Sequence, residues 1–122
     1  MTQLEKAREL RARTDVHFNC CQSVLVAFAE DMGLTEQQAF GLGAHFGSGM
    51  RCGSVCGTLT AALMILGLKG YDETQSASFL RKFREDHGEI NCAALLKNAH
   101  DAGIPRKEHC DGLVFDVVQM LE

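Results

Sequence analysis

The chain has 122 residues, 46% of them hydrophobic, and its 12 Lys and Arg against 16 Asp and Glu give a formal charge of -4. This length suits one domain that folds without disulfide bonds, and scattered basic residues without interleaved aromatics exclude nucleic acid as an expected partner. The start, MTQLEKAREL, lacks the apolar stretch of a signal peptide, so we expect a cytoplasmic protein.

Apolar residues recur at spacings of three and four, whereas no stretch alternates apolar and polar residues for long. The only proline is Pro105. These patterns predict an all-α fold, a compact helical bundle of about six or seven helices that forms one domain over residues 1–122.

The first half of the chain predicts three helices and a glycine-rich loop. A polar helix spans about Leu4 to Arg13, a second runs from about Asn19 to Gly33, and Thr35 caps a third. The loop covers residues 46–53. The side chains expected to face the core are Cys21, Val24, Leu25, Phe28 and Met32 in the second helix, and Ala39, Leu42 and Phe46 in the third.

The fourth helix begins near Ser54, is apolar on nearly every side from Cys56 to Leu68, and is therefore predicted to be central and buried. It is too short to cross a bilayer, which takes about 20 residues, so no membrane partner is expected. Asp72 caps a fifth helix that ends at His87, with Phe79, Leu80 and Phe83 expected to face inward.

A sixth helix begins at Asn91 and Cys92, and the last runs from about Cys110 to Leu121. Residues 98–109, between them, are predicted to form the longest loop. The apolar face of the last helix comprises Leu113, Val114, Val117, Val118 and Leu121.

Four of the six cysteines fall where a helix is predicted to begin: Cys20, Cys56, Cys92 and Cys110. Free backbone N–H groups and the positive end of the helix dipole favour thiolates there. Asn19 and Asn91 each precede one of these cysteines and are expected to cap its helix, as Ser54 is for the fourth helix. We expect these four helix starts to converge on one point. Four thiolates around a divalent metal or a doubly charged cluster leave a net negative charge, and the positive ends of the helix dipoles would offset it.

The other two cysteines have different predicted roles. Cys21 shares the apolar stripe of its helix and is assigned to the core. Cys52 lies in the glycine-rich loop four residues before Cys56, where it is a candidate for a transient disulfide or a spare ligand. His109, next to Cys110, is a candidate base or alternative ligand.

Several common motifs are absent. No C-x-x-C pair occurs, which excludes a thioredoxin-like motif and haem attachment and leaves only a weak local signal for zinc. The loop sequence GSGMRCGS matches neither phosphate-binding glycine pattern, so nucleotide binding is excluded.

The runs FNCCQSVLVAFAEDMGL, FGSGMRCGSVCGTLTAALMILGLKG and NCAALL, with a final C-x-x-L-V helix, resemble the redox-active protein family named for the cysteine pattern C_GCAxxG_C_C. The resemblance covers about residues 18–121, and the four cysteines of the pattern correspond to Cys20, Cys56, Cys92 and Cys110. Thr58 and Ala61 stand where the family has alanine and glycine. The resemblance implies a redox role, and similar domains occur in redox proteins with an iron–sulfur centre.

Three hypotheses follow. In the first, the four cysteines bind an iron–sulfur cluster or related metal centre for electron transfer or redox sensing with a redox partner protein. In the second, a metal-free protein cycles between thiol and disulfide, with Cys56 as the catalytic nucleophile and Cys52 as its resolving partner. In the third, structural zinc or buried thiols support a protein-interaction domain. All three leave enzymatic activity and a homo-oligomer open.

Overall fold

Seven α-helices and one π-helical turn make up the fold in a computed structural model that describes all 122 residues. About 70% of the residues are helical, which confirms the predicted all-α class and helix number. The only β feature is a single bridge between Val55 and Asn91. The helices are α1 (Gln3–Ala12), α2 (Cys20–Ala27), α3 (Glu36–Gly43), α4 (Gly57–Leu68), α5 (Glu73–His87), α6 (Cys92–Asp101) and α7 (Arg106–Leu121), and the π-turn spans Gly49–Gly53.

Four helices begin with a complete capping box. In each, the capping side chain accepts a hydrogen bond from the amide three residues later, and that residue's side chain bonds back to the capping amide. The capping residues are Thr2 for α1, Asn19 for α2, Thr35 for α3 and Asp72 for α5. At the other end of α5, Gly88 adopts a left-handed φ of 83°. The caps predicted at Asn19, Thr35 and Asp72 are therefore confirmed.

Helix α4 lies at the centre of a cluster of 23 buried hydrophobic residues, as predicted. It packs on α2, α5 and α7. Gly57 allows the closest approach, because a Cβ there would lie 2.7 Å from the Phe46 carbonyl oxygen and 3.1 Å from the Cys21 nitrogen. No helix combines the length and the apolar character needed to cross a bilayer.

Two predictions in the first half are wrong. Helix α2 ends at Ala27, and residues 28–33 continue as turns in which the amide of Leu34 bonds back to the Ala29 carbonyl. Leu42 was expected to face the core but is 53% exposed. Ala39 and Gly43, four residues apart, form the buried face of α3 instead, and Gly43 lies against Gln22 of α2.

The last helix begins four residues earlier than predicted. Pro105, whose ring fixes a φ of -59°, precedes its first residue, and the Pro105 carbonyl accepts the first helical bond from the His109 amide. Helix α6 also continues to Asp101. The predicted loop over residues 98–109 therefore shrinks to 102–105, and Cys110 lies in the second turn of α7 rather than at its start.

Candidate functional site

All four cysteines of the predicted pattern line one cavity of about 10 Å³ where α2, α4, α6 and α7 meet. The space is about that of a single water molecule. We call it the thiol cavity; besides Cys20, Cys56, Cys92 and Cys110, its walls are Ser48, Gly57, Leu95, Leu96, His109 and Leu113. Cys56 is buried, while the other three cysteines are half-buried. Thiols up to 90 residues apart in the chain thus share one small space.

Cys20 is placed by the cap that precedes it. The Asn19 carboxamide oxygen accepts a hydrogen bond from the Gln22 amide at 2.8 Å, and its nitrogen donates to the Gly43 carbonyl at 3.1 Å. One side chain therefore starts α2 and ties that start to the end of α3. Cys20 follows it as the first residue of the helix.

Two backbone hydrogen bonds place Cys56 beside Cys92. The Cys56 amide donates to the Ile90 carbonyl at 2.8 Å, and the Cys92 amide donates to the Ser54 carbonyl at 2.7 Å. These bonds flank the Val55–Asn91 bridge, so we call the arrangement the bridge clasp. The caps predicted at Ser54 and Asn91 are wrong, because Asn91 makes no capping hydrogen bond and Cys56 itself occupies the position before α4.

The glycine-rich loop brings Ser48 to the thiol cavity at a cost in backbone strain. Ser48, Met50 and Arg51 all have φ between 53° and 63°, a region that non-glycine residues seldom adopt. No motif in the sequence points to Ser48, although the glycines on either side of it indicate an unusual backbone. Cys52 is exposed, lines neither the thiol cavity nor the cleft above it, and donates from Sγ to the Gly49 carbonyl at 3.6 Å.

A hydrogen-bonding interaction between the Cys20 and Cys110 sulfurs is the main cause of the difference between their pKa values. The bond from Cys20 lowers the pKa of Cys110 to about 6; the nearby guanidinium groups of Arg11 and Arg106 lower it further, against the opposing effect of burial. The same bond, together with burial, raises the pKa of Cys20 far above that of a free thiol. The pair therefore holds one thiolate and one proton near neutral pH.

Burial determines the acidity of the other cavity thiols. It raises the pKa of Cys56, although the Thr58 hydroxyl, 3.1 Å from Cys56 Sγ, partly offsets this effect. Burial and the neighbouring Cys56 and Cys110 sulfurs also raise the pKa of Cys92. The predicted acidifying effect of helix starts is therefore wrong for the three cysteines that occupy them: desolvation outweighs the helix dipole at Cys56 and Cys92, and the interaction with Cys110 does so at Cys20. The one acidified thiol, Cys110, lies inside a helix.

Two further predictions concern Cys21 and His109. Cys21 is fully buried in the core, as expected, and burial raises its pKa to about 12. His109 lines the thiol cavity, and its Nε2 is buried without a hydrogen-bond partner. Burial lowers the pKa of this imidazole, with a smaller contribution from His87. His109 therefore presents a neutral ring to the four sulfurs, and its role as base or ligand stays a prediction.

The donor set of the thiol cavity suits zinc or an iron–sulfur cluster chemically, but its arrangement does not. No three His, Cys, Asp or Glu side chains are disposed so as to hold a metal ion. A cavity of about 10 Å³ is also far smaller than a cluster of iron and sulfide ions. Zinc would require the thiols to rearrange around it, and a cluster would also require the cavity to enlarge.

A larger cleft of about 410 Å³ opens from the thiol cavity to the surface, and sequence analysis missed it. Cys20, Cys92, Cys110 and Ser48 line both spaces. The cleft has no carboxylate in its lining, and we call it the cationic cleft. Its charged or titratable walls come from the end of α1, the segment after it and the start of α7: Arg11, Arg13, His17, Arg106 and Lys107.

Comparisons with known proteins give one match. Searches of curated proteins and of solved structures found none. A family model described as "Putative redox-active protein (C_GCAxxG_C_C)" matches residues 18–122, which is most of the chain and includes all four cavity cysteines. The chain therefore belongs to the C_GCAxxG_C_C family of redox-active proteins.

Proposed function

We propose that the protein is a thiol–disulfide redox protein in which Cys110 and Cys20 form a reversible disulfide. The observation that carries this proposal is that Cys20 and Cys110 line both the thiol cavity and the cleft that opens from it, where each shifts the pKa of the other. Membership of a redox-active family supports redox chemistry at the cysteines in general. The choice of this pair is our own inference.

The two thiols have complementary properties for exchange. Cys110 has a pKa of about 6 because of the Cys20 hydrogen bond and two nearby guanidinium groups, so it is largely thiolate at neutral pH. Cys20 stays protonated while that thiolate is present, because the hydrogen bond to it is the main cause of its raised pKa. Once Cys110 has reacted, the bond is lost and Cys20 becomes easier to deprotonate.

The reaction balances with a disulfide, R–S–S–R′, as the oxidant. The Cys110 thiolate attacks one sulfur, forming a Cys110–S–S–R bond and releasing R′S⁻. The Cys20 thiol then gives its proton to the released thiolate, and its sulfur attacks Cys110. The products are the Cys20–Cys110 disulfide, R′SH and RS⁻. Two electrons have passed from the protein to the substrate disulfide.

The sequence-based pair, Cys56 with Cys52, has less support. Cys56 is only 3% exposed and its pKa is raised by burial, while Cys52 faces solvent outside the cavity. Cys56 and Cys92 line the cavity together with the Cys20–Cys110 pair. This position suits them to keep water away from a new disulfide or to exchange with it.

A metal centre is the second candidate, and the convergence of four thiols and the unpartnered His109 Nε2 on one cavity favours it. Zinc or an iron–sulfur cluster would be held by Cys20, Cys56, Cys92 and Cys110 after these thiols rearrange, and a cluster would also need a larger cavity. Electron transfer to a redox partner protein would then be the function. The cytoplasmic location and a homo-oligomer remain proposals under both candidates.

Anaerobic purification followed by metal, sulfide and thiol analysis separates the two candidates. We expect no bound metal and six titratable thiols in the denatured chain. Treatment with a small disulfide as oxidant should then produce a Cys20–Cys110 disulfide, which peptide mass spectrometry detects. The Cys52→Ser variant should keep this cross-link and Cys110→Ser should lose it. Iron with sulfide and visible absorption, or a Cys52–Cys56 cross-link, would overturn the proposal.

A further inference from the structure

We propose that the cationic cleft makes the protein selective for small anionic disulfides, whose carboxylates bind near Arg106 while one sulfur meets Cys110. The sulfur chemistry rests on the proposed function. The anion binding rests only on the cleft, so the two can be tested separately.

The charges of the cleft favour an anion. Arg11 donates to the Asp111 carboxylate at 2.6 Å and Lys107 does so at 3.0 Å, while Arg13 pairs with Asp15 at 2.8 Å. Asp15 and Asp111 therefore pair with three of the four cations of the lining, and neither carboxylate lies in the lining itself. Positive charge is left over in the cleft.

Arg106 is the fourth cation, and it has no carboxylate partner. Its guanidinium donates to the Ser48 hydroxyl at 3.1 Å, across the mouth of the thiol cavity. Its guanidinium lines the cleft without an ion-pair partner among the side chains of the protein. The positive charge of Arg106 is therefore available to a ligand in the cleft.

Two helix starts add to this preference. Helices α6 and α7 begin without a capping side chain, and their first residues, Cys92 and Arg106, both line the cleft. The first amides of such helices lack intrahelical acceptors and carry the positive end of the helix dipole. The Cys92 amide already donates to the Ser54 carbonyl, so it is the first turn of α7 that offers an anion backbone donors as well as side-chain cations.

The size of the cleft and its distance from the reactive sulfur narrow the ligand class. A volume of about 410 Å³ suits a small organic molecule rather than a folded protein. Arg106 and Cys110 lie one helical turn apart on α7, a separation of about 5–6 Å between their Cβ atoms. A carboxylate two or three bonds from the disulfide can therefore reach the guanidinium while its sulfur reaches Cys110.

Three disulfides of similar size but different charge test the selectivity: the dianion 3,3′-dithiodipropionate, neutral bis(2-hydroxyethyl) disulfide and the dication cystamine. The rate of Cys110 oxidation by each is divided by its rate with free 2-mercaptoethanol, which removes differences in intrinsic reactivity. We expect the dianion to be favoured over the neutral compound by about fivefold, the equivalent of one exposed ion pair, and the dication to be slowest. Added salt at about 1 M should abolish this order.

Arg106→Gln should compress the three relative rates toward one value. The matched control is Lys82→Gln, which removes an exposed cation of α5 that pairs with Asp86 and lies away from the cleft, and it should change nothing. Equal relative rates in the unmodified protein, or an order unaffected by Arg106→Gln, would overturn the selectivity and leave the redox proposal intact.

If none of the three disulfides oxidises the pair, the redox proposal fails and anion binding is decided directly. Titration of the Cys110→Ser variant with 3,3′-dithiodipropionate, followed by amide chemical shifts, should then move resonances at the starts of α6 and α7. Arg106→Gln in that background should weaken the binding. No shift at these helix starts would overturn the anion site itself.

Discussion

The helices of this protein begin in two different ways, and the difference separates its scaffold from its site. Helices α1, α3 and α5 start with complete capping boxes and bring no cysteine to the thiol cavity. Helices α4, α6 and α7 start without a capping side chain, and each brings one cysteine there. Only α2 has both features. The capped helices therefore form a scaffold away from the thiols, whereas backbone hydrogen bonds of Cys56 and Cys92 hold the starts of α4 and α6 in place of a side-chain cap.

The largest expected effect is the loss of the fast thiol. In a Cys52→Ser background, which removes the exposed cysteine, Cys110 should be alkylated by iodoacetamide at pH 7 about 30-fold faster than an ordinary thiol, because its pKa is about 6. Cys110→Ser should remove this fast phase, as measured by mass spectrometry over time. A fast phase that persists in Cys110→Ser, or that maps to Cys56 or Cys92, would contradict the prediction that Cys110 reacts faster than the cysteines at the uncapped helix starts.

The start of α4 has no capping side chain, and its close packing at Gly57 should contribute to stability instead. Gly57→Ala places a methyl group 2.7 Å from the Phe46 carbonyl oxygen and should lower the unfolding free energy by about 2 kcal/mol, the usual effect of overpacking. Urea denaturation measures it. Gly67→Ala, in the same helix with open space around it, is the matched control and should not destabilise the protein. Equal effects of the two substitutions would show that the close approach contributes little.

The pH dependence of alkylation tests the Cys20–Cys110 bond. Between pH 5 and 7 the rate at Cys110 should rise about tenfold and then level off, since the thiolate population saturates above a pKa of about 6. Cys20→Ala removes the hydrogen bond that is the main cause of the shift, so the midpoint should move up. A rate that climbs steadily to pH 8.5 in the unmodified protein would show that the pair does not exist.

Stability should follow the same titration. The pKa of Cys110 is lower in the folded chain than in the unfolded one, so the unfolded state binds more protons between about pH 6 and the pKa of a free thiol. The contribution of this group to the unfolding free energy should rise with pH across that window and be lost as the pH falls through 6. The difference between the unmodified protein and Cys110→Ser at each pH isolates it.

The smallest effect concerns the capped starts. Asp72→Ala removes the bond to the Gln75 amide, which is 2.9 Å long, and should cost about 1 kcal/mol of unfolding free energy. Because α5 brings no cysteine to the cavity, the alkylation rate of Cys110 should not change. A change in that rate would mean that the capped scaffold and the thiol site are coupled.

Local signals made much of the fold predictable. Asn19, Thr35 and Asp72 each precede a helix and act mainly on their own backbone, so sequence alone located those starts. The cysteine pattern likewise identified the four residues that meet. Leu42 and the end of α2 were mispredicted because the face that α3 buries is set by its contact with α2, which no local pattern records.

The properties of the site were less predictable, because they arise from distant residues. The acidity of Cys110 depends on Cys20, 90 positions away, and on burial, which reversed the effect expected at the helix starts. The cleft was missed because Arg11, Arg13 and Arg106 resemble ordinary surface charges in the sequence. Only the packing of α1 against α7 brings them together.

The bridge clasp has a consequence for how the interior can change shape. The amides of Cys56 and Cys92 each donate to a carbonyl on the other segment of the clasp, at 2.8 and 2.7 Å, so the two segments cannot separate without releasing both bonds. Deuterium uptake at these two amides would therefore rise together whenever the cavity expands. Hydrogen exchange at these two amides therefore measures how often the cavity expands. An iron–sulfur cluster would require such an expansion in order to bind.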